Sequence, residues 1–389
     1  MATPLLFTPL RLRDITLKNR VVVAPMHQYA AINGYATDWH LVNVGKFAVG
    51  GCGLVMVEST KVERRGCGTV GDLGLWHDDH VGGHCRLVDF IRAQGATPGI
   101  QIGHSGRKAR RFRPWEGGAP LKPGPGIPSF DEWELVSASA VTDGGEGEPL
   151  PRSLSRDEIS GVVENWGKAA ARADAAGYDV LEIHAAHGYL LHQFLSPFSN
   201  KRNDDYGGSD LNRMRFAIEI AECVRANWPH HKPLFMRFSV VDDAGWDLRQ
   251  SIELAKQVKA KGVDVIDCSS GGMMGRPVAS ASPSTGYGYQ VPYADAIRRE
   301  ADIKTMAVGL IIHADHAEEI LREQKADLIA LARELMYNPN WAMDAAQKLD
   351  CDPRYNIVPP AVGSWLSKRG TSAKTVQPST YRMGLRETV

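Results

Sequence analysis

The sequence predicts an α/β protein built as a single (β/α)8 barrel of TIM type, with a rim-covering insertion and a C-terminal tail. Three observations predict it. Eight short apolar or β-branched runs recur along the chain, stretches of helical period separate most of them, and polar or chemically active residues gather at the C-terminal ends of the runs. A chain of 389 residues is long enough for one large barrel or two average domains, so length does not choose between them. The alternation of strand and helix implies a parallel sheet, and eight units favour closing it into a barrel.

The runs in order are VVVAP (21–25), LVMVES (54–59), PGIQIGH (98–104), VLEIHAA (180–186), LFMRFS (234–239), VDVIDCSS (263–270), KTMAVGL (304–310) and DLIALAR (327–333). They are continuously apolar and do not alternate strictly, as expected for strands covered on both faces. The clearest helix starts at SRDEISGVVENWGKAAARADAAG, where Ser155 and Glu158 have capping-box spacing and Gly177 can close the C-terminus. A dinucleotide fold would place GxGxxG directly after an early strand, and the chain has none there. The barrel is assigned to residues 1–349. The stretch 108–154, rich in proline, glycine and charge, is too long for an ordinary connection and is read as a rim insertion or lid. Residues 350–389 form a C-terminal extension without a clear period, expected to pack on a neighbouring subunit or to end in partial disorder, with Trp365 a candidate cap on a rim.

Composition narrows the partners. Lysine plus arginine balance aspartate plus glutamate at 45 each, so no net field favours nucleic acid or an anionic membrane surface. A small molecule is the expected partner. Six cysteines form no CxxC and no paired zinc spacing, which suits a reducing cytoplasm. No uncharged run reaches the roughly eighteen apolar residues of a membrane span, and the N-terminus has only a short apolar stretch broken by prolines. A cytoplasmic protein without a membrane anchor is expected.

Glu58, Gln101, His104, His184, His187, Arg237, Ser269 and Arg333 all fall at run ends, which in a barrel open on one rim, where active sites are built. The densest stretch is IHAAHGYLLHQFLSP (183–197). In a continuous strand His184 and His187 would point to opposite faces, so they meet only if the strand ends between them, and Gly188 permits that bend. Three readings stand open on the residues alone. A zinc site needs three or four ligands with outer support, and carboxylates are scarce at the run ends apart from Glu58. Imidazoles satisfied by backbone in a polar corner are the second. The third is a clamp of two N–H donors with a phenol, Tyr189, beside it: acid/base and oxyanion equipment. No metal is assigned.

These residues, with LKNRVVVAPM (17–26), QIGHSGRKA (101–109), LSPFSNKRNDDYGGSDLNRMRF (195–216), LFMRFS, DCSSGG (267–272) and DLIALARELMYNP (327–339), resemble the Old Yellow Enzyme family of FMN-dependent ene-reductases over about residues 5–345, with the bacterial thermophile-type subgroup the most similar. The resemblance implies a barrel holding FMN at its C-terminal rim, with NADPH or NADH as electron donor. By the same resemblance Pro25 and Met26 lie against the flavin, Ala24 presents backbone to its edge, and Ser59 sits beneath. Gln101 meets the pyrimidine edge, Arg237 stabilises the anionic reduced ring, and Gly309, Ala332 and Arg333 surround the phosphate. His184 and His187 are implied to hold a substrate carbonyl, Tyr189 to donate the proton, and Tyr29 and Lys108 to touch substrate at the rim.

This sequence also departs from the family. His27 stands where the subgroup usually has cysteine and the older branch threonine, and an imidazole there is expected to titrate near neutral pH. Ala332 replaces a common glycine and Ser59 a frequent alanine. The short ending that lends an arginine to a neighbour's site has no clear counterpart. The function expected from the resemblance is hydride transfer from NAD(P)H through FMN to the β-carbon of an activated alkene, by a homo-oligomer, dimer or tetramer. Alternatives are a flavin-dependent dehydrogenase, demethylase or ring reductase of the same superfamily and, more remotely, a metal-dependent barrel hydrolase.

Overall fold

The computed structural model describes every residue except 1–2, 125–126, 128–129, 131–132, 143–146, 275–284 and 373–389. Eight parallel strands close into a barrel: β1 (Val21–Val23), β2 (Leu54–Lys61), β3 (Thr97–Gly103), β4 (Val180–Ala185), β5 (Leu234–Ser239), β6 (Val265–Ser269), β7 (Lys304–Val308) and β8 (Leu328–Leu331), each beside the next and β8 beside β1. Each coincides with one of the eight runs read from the sequence. The outer ring is made by α1 (Asp38–Val49), α2 (Val81–Ala93), α3 (Arg156–Ala175), α4 (Asp210–Asn227), α5 (Leu248–Ala260), α6 (Val291–Glu300), α7 (Ala314–Arg322) and α8 (Trp341–Lys348). The expected cap of α3 is present: Ser155 Oγ accepts the Glu158 N–H at 3.3 Å and Glu158 Oε2 accepts the Ser155 N–H at 2.8 Å.

Alternation along the strands divides the core in two. Outward residues such as Val21, Val23, Val55, Leu181, Met236 and Ile266 pack under the helices. Inward residues such as Val22, Leu54, Val180, Phe235, Val265 and Leu328 fill the lower barrel, where an antiparallel ribbon of Leu10–Leu12 and Ile15–Leu17 plugs the bottom with Leu12 and Leu17. Two residues higher on several strands the inward positions turn polar: Gln101, Glu182, Arg237 and Asp267. One rung higher still stands His184. Period two therefore carries the barrel axis from apolar floor to polar layer to mouth.

The insertion is anchored where it is described. Trp133 is fully buried against Cys67 and Leu121, Val136–Ser137 pairs with Arg152–Ser153, and Trp115 rests edge-on against Tyr29 with ring centroids 5.7 Å apart. The extension differs from its reading: Pro360–Ser372 forms a helix, with proline at its first position as helix starts favour. Trp365 within it is 70% exposed and covers no rim. The final residues of the extension lie outside the described ones.

Candidate active site

The barrel's C-terminal mouth holds a cavity of about 870 Å³, within the range of cofactor sites. Pro25, Met26, His27 and Tyr29 line it from the loop after β1, Gln101 from β3, His184, His187 and Tyr189 from β4 and its loop, Arg237 from β5, and Gly309, Ala332 and Arg333 from the loops after β7 and β8.

The two histidines meet because β4 ends at Ala185 and the chain turns at His187 itself, whose φ of +60° lies in the left-handed region. That conformation costs a non-glycine residue about 1–2 kcal/mol, and the surroundings hold it. The His187 N–H donates to Ser239 Oγ at 2.9 Å, its carbonyl accepts from Lys108 Nζ at 3.1 Å, and Gln193 Nε2 donates to the Gly188 carbonyl at 2.6 Å. Gly188 is required next: a Cβ there would lie 2.3 Å from the Gly272 carbonyl oxygen. The imidazole rings end 5.2 Å apart at 72°, with Tyr189 edge-on to His184 at 4.9 Å.

Their protonation follows from the partners. Burial, reinforced for His184 by His187 and for both by the Arg237 charge, holds His184 and His187 well below the usual imidazole range, so both are neutral at pH 7. His184 Nδ1 accepts the Ala186 N–H at 3.3 Å, which puts its proton on Nε2. His187 Nε2 lies 2.8 Å from Ser269 Oγ. Burial pushes the Tyr189 phenol well above its ordinary value, so it keeps its proton. Two neutral imidazoles and a protonated phenol thus converge, groups able to serve a carbonyl oxygen and an incipient carbanion.

Beside them His27 stacks on Tyr29 with centroids 5.3 Å apart at 11°, and Lys61 Nζ approaches its Nε2 at 3.0 Å. Burial and the Lys61 charge bring His27 down to about 3. The expected titration near neutrality is thereby corrected: desolvation and a neighbouring cation both penalise the imidazolium.

Below the histidines the strand register builds a polar layer. Gln101 is paired with Glu182, His184 with Arg237, and Arg237 with Asp267. Gln101 Nε2 donates to Glu182 Oε1 at 2.7 Å. Arg237 Nε is 3.1 Å from Asp267 Oδ2, near enough for an ion pair but angled so that Nε and both Asp267 oxygens lack a hydrogen bond among the described residues. Burial, and for Glu182 also the Asp267 charge, raises both carboxyls. One guanidinium therefore faces two carboxyls that resist being ionised together.

Across the mouth Gly309 has φ +114°, and a Cβ on it would meet Gln290 Nε2 at 2.6 Å. The N–H groups of Gly309, Leu310 and Ala332 and the exposed Arg333 guanidinium find no hydrogen-bond partner among the described residues. Unpaired N–H groups beside a guanidinium suit an anion.

Three residues expected at the site stand behind it. Ala24 and Ser59 are buried in the wall, Ser59 Oγ accepting from Lys61 Nζ at 3.3 Å. Lys108 points its ammonium at the carbonyls of His187 and Gly272 and so braces the histidine loop. Of the other run ends, Glu58 accepts the Gln28 N–H at 2.8 Å, and His104 pairs with Glu63 at 2.8 Å. Among the described residues no three His, Cys, Asp or Glu side chains are grouped to hold a metal ion, and no helix is long and apolar enough to cross a membrane. Lys61, Glu182 and Asp267 were not singled out from the sequence, although the period-two pattern that puts His184 inward also puts Glu182 inward. Tyr289 and Gln290, which also line the cavity, follow β6 at a distance no motif marked.

The model of the NADH:flavin oxidoreductase / NADH oxidase family matches residues 5–352. NADPH dehydrogenase of Listeria monocytogenes is 44% identical over 348 residues, 88% of this chain and 95% of that protein. NADPH dehydrogenase of Bacillus velezensis is 41% identical over 351 residues, 89% and 96% of the two chains. Among solved structures, morphinone reductase in complex with tetrahydroNAD is similar with a TM-score of 0.72 and 25% identity, over 88% of this chain and 91% of that one.

Proposed function

The chain belongs to the NADH:flavin oxidoreductase / NADH oxidase family, and from that premise we propose that it is an ene-reductase, reducing the C=C bond of an activated alkene such as an enone, enal, nitroalkene or maleimide. It is an oxidoreductase that uses FMN as cofactor and NAD(P)H as electron donor. Bound FMN supplies two-electron hydride transfer between the nicotinamide and the acceptor.

The residues at the mouth fit that group. In this reading Pro25 and Met26 offer it an apolar face, and Gln101 offers amide donors and an acceptor. The Arg237 Nε, unpaired by hydrogen bonds, offers charge, and the free N–H groups at Gly309 and Ala332 with Arg333 take its phosphate. Ala24 and Ser59, buried in the wall behind Pro25 and Gln101, support that face.

The observation that carries the ene-reductase reading is the neutral pair His184 and His187 with Tyr189 against it. Two N–H donors hold the carbonyl oxygen of an enone and stabilise the negative charge that grows there as the β-carbon is reduced. The Tyr189 phenol, kept protonated by burial, delivers the proton to the α-carbon. Tyr29, stacked on His27 and touched by Trp115, borders the acceptor's entrance. Because nicotinamide and acceptor use one mouth, each must leave before the other enters, and ping-pong kinetics follow. Self-association as a dimer or tetramer belongs to the same proposal, with sedimentation velocity as its test.

Anaerobic incubation with NADPH and 2-cyclohexenone tests the reading. Cyclohexanone formed with one NADPH consumed per product is the expected result. Bleaching of the flavin by NADPH with no alkene in a broad panel restoring its colour would overturn it and move the assignment to an oxidative or ring-reducing member of the superfamily. The metal-hydrolase alternative gives way to the family assignment.

A further inference from the structure

Lys61 has no exposed surface, although it closes β2 beside the mouth. Its ammonium lies 3.0 Å from His27 Nε2, 3.3 Å from Ser59 Oγ and 3.5 Å from Asp72 Oδ2, and it sits 5.2 Å from the centroid of the Tyr189 ring, over its face. Asp72 is itself held as an anion's shape requires, accepting from the Gly68 and Thr69 N–H groups at 2.7 and 3.1 Å and from Thr69 Oγ1 at 2.8 Å. The lysine is thus supplied with a carboxylate, a hydroxyl, an imidazole nitrogen and a π face, a set that pairs a buried cation. An ammonium carries donors and no acceptor. The His27 nitrogen that meets it must therefore offer a lone pair, which leaves the ring's only proton on Nδ1.

We propose that Lys61 is a positioning residue for the mouth: it locks His27 as the neutral Nδ1–H tautomer and keeps one positive charge behind Tyr189. The Pro25–His27 edge of the cavity then presents a fixed hydrogen-bond donor backed by a cation, built to meet an electron-rich oxygen or nitrogen of the bound flavin or of the acceptor. The inference rests on the mouth being the flavin site. A lysine serving only to pair with Asp72 would leave the His27 tautomer indifferent to its removal.

The test uses the FMN-loaded enzyme labelled with 15N in its histidines. Long-range 1H–15N spectra report which ring nitrogen bears the proton, and His27→Asn identifies the resonance. Wild type and Lys61→Arg are expected to show Nδ1–H at His27, and Lys61→Met a mixture or the Nε2–H form. In the same samples Lys61→Met removes a cation beside the Asp72 carboxylate. The reduced-to-oxidised flavin ratio at a fixed potential is expected to fall about tenfold, equivalent to about 30 mV for a two-electron couple. Lys61→Met/Asp72→Asn restores the charge balance, so the potential should return while the tautomer does not. If Lys61→Met fails to fold, Lys61→Gln replaces it, because an amide oxygen can turn to His27 and reverse the tautomer.

An unchanged His27 tautomer in Lys61→Met or Lys61→Gln, or Nε2–H in wild type, overturns the lock. An unchanged potential overturns the charge half. A shift in melting temperature with both readouts fixed overturns the whole and leaves Lys61 a structural residue. Failure of alkene turnover would strike the proposed function alone, because neither readout depends on the acceptor.

Discussion

His184 and His187 face each other with ring centroids 5.2 Å apart at 72°, although an unbroken strand would send them to opposite faces. Strand termination at Ala185 and the left-handed turn at His187 bring both imidazoles to one side of the mouth. Replacing both with alanine is expected to leave FMN bound, to abolish the binding of phenols, and to lower kcat for alkene reduction at least as much as losing one oxyanion donor does, about 10²- to 10³-fold. Absorbance titration with a phenol and stopped-flow kinetics check it. Loss of FMN from the variant would show that the pair holds the cofactor and not the acceptor.

Because burial keeps both imidazoles well below the usual range, they stay neutral as pH falls through the ordinary histidine value. Affinity for a neutral enone analogue is therefore expected to be flat between pH 8 and pH 6. A tenfold change centred near pH 6.5 in a binding titration would contradict the neutral clamp.

Tyr189→Phe removes a proton donor while keeping the ring that packs on His184 and Lys61. Reduction of the flavin by NADPH should be unchanged within a factor of about two, and its reoxidation by 2-cyclohexenone slower by about 10²- to 10⁴-fold, the usual share of a general acid. Separate anaerobic half-reactions measure the two steps.

Stability should fall on the acid side for two reasons of the same sign. Burial alone would raise Glu63, but His104 and Arg65 bring it down to about 2. Its contribution, about 3 kcal/mol, is present above the unfolded value near 4.5 and is lost as pH drops from there through 2. His27 and His84, lowered to about 3 and about 4 by burial, refuse a proton that the unfolded chain accepts at 6.5, so protonation of the unfolded state draws stability away below that pH. Urea titrations of wild type and Glu63→Gln should differ by about 3 kcal/mol at pH 7 and by little at pH 2. A constant difference would refute the ionic account of the Glu63–His104 joint.

Arg333→Ala is expected to weaken FMN binding roughly tenfold to a hundredfold, the cost of one charge-assisted hydrogen bond. Fluorescence titration of apoprotein with FMN reads it directly. No change would place the phosphate elsewhere on the rim.

Much of the barrel is legible in the chain because parallel strands buried on both faces must be apolar runs, and all eight runs became strands. The mouth is legible because strand ends share one rim. What the sequence conceals is depth. VEST followed by Lys61 reads as a strand reaching solvent, yet β2 continues through Lys61 and buries it; a residue's burial at a barrel mouth depends on the neighbouring loops, here those carrying His27 and Asp72. Glu182 and Asp267 hide inside runs whose apolar neighbours point outward. Lys108 is expected by resemblance to touch substrate at the rim; its ammonium also donates to the carbonyl oxygens of His187 and Gly272, contacts that no linear pattern reveals. The helix Pro360–Ser372 has its own proline start and no strong apolar stripe, so periodicity passes over it.

The most direct measurement is the crystal structure of the FMN-loaded enzyme soaked with a para-substituted phenol, a stable mimic of the enolate oxygen. The expected density shows the flavin in the mouth between Met26 and Arg333, with the phenol oxygen within hydrogen-bond distance of both His184 and His187. A phenol oxygen bound away from the histidine pair, or a mouth closed by protein with the flavin elsewhere, would contradict the account.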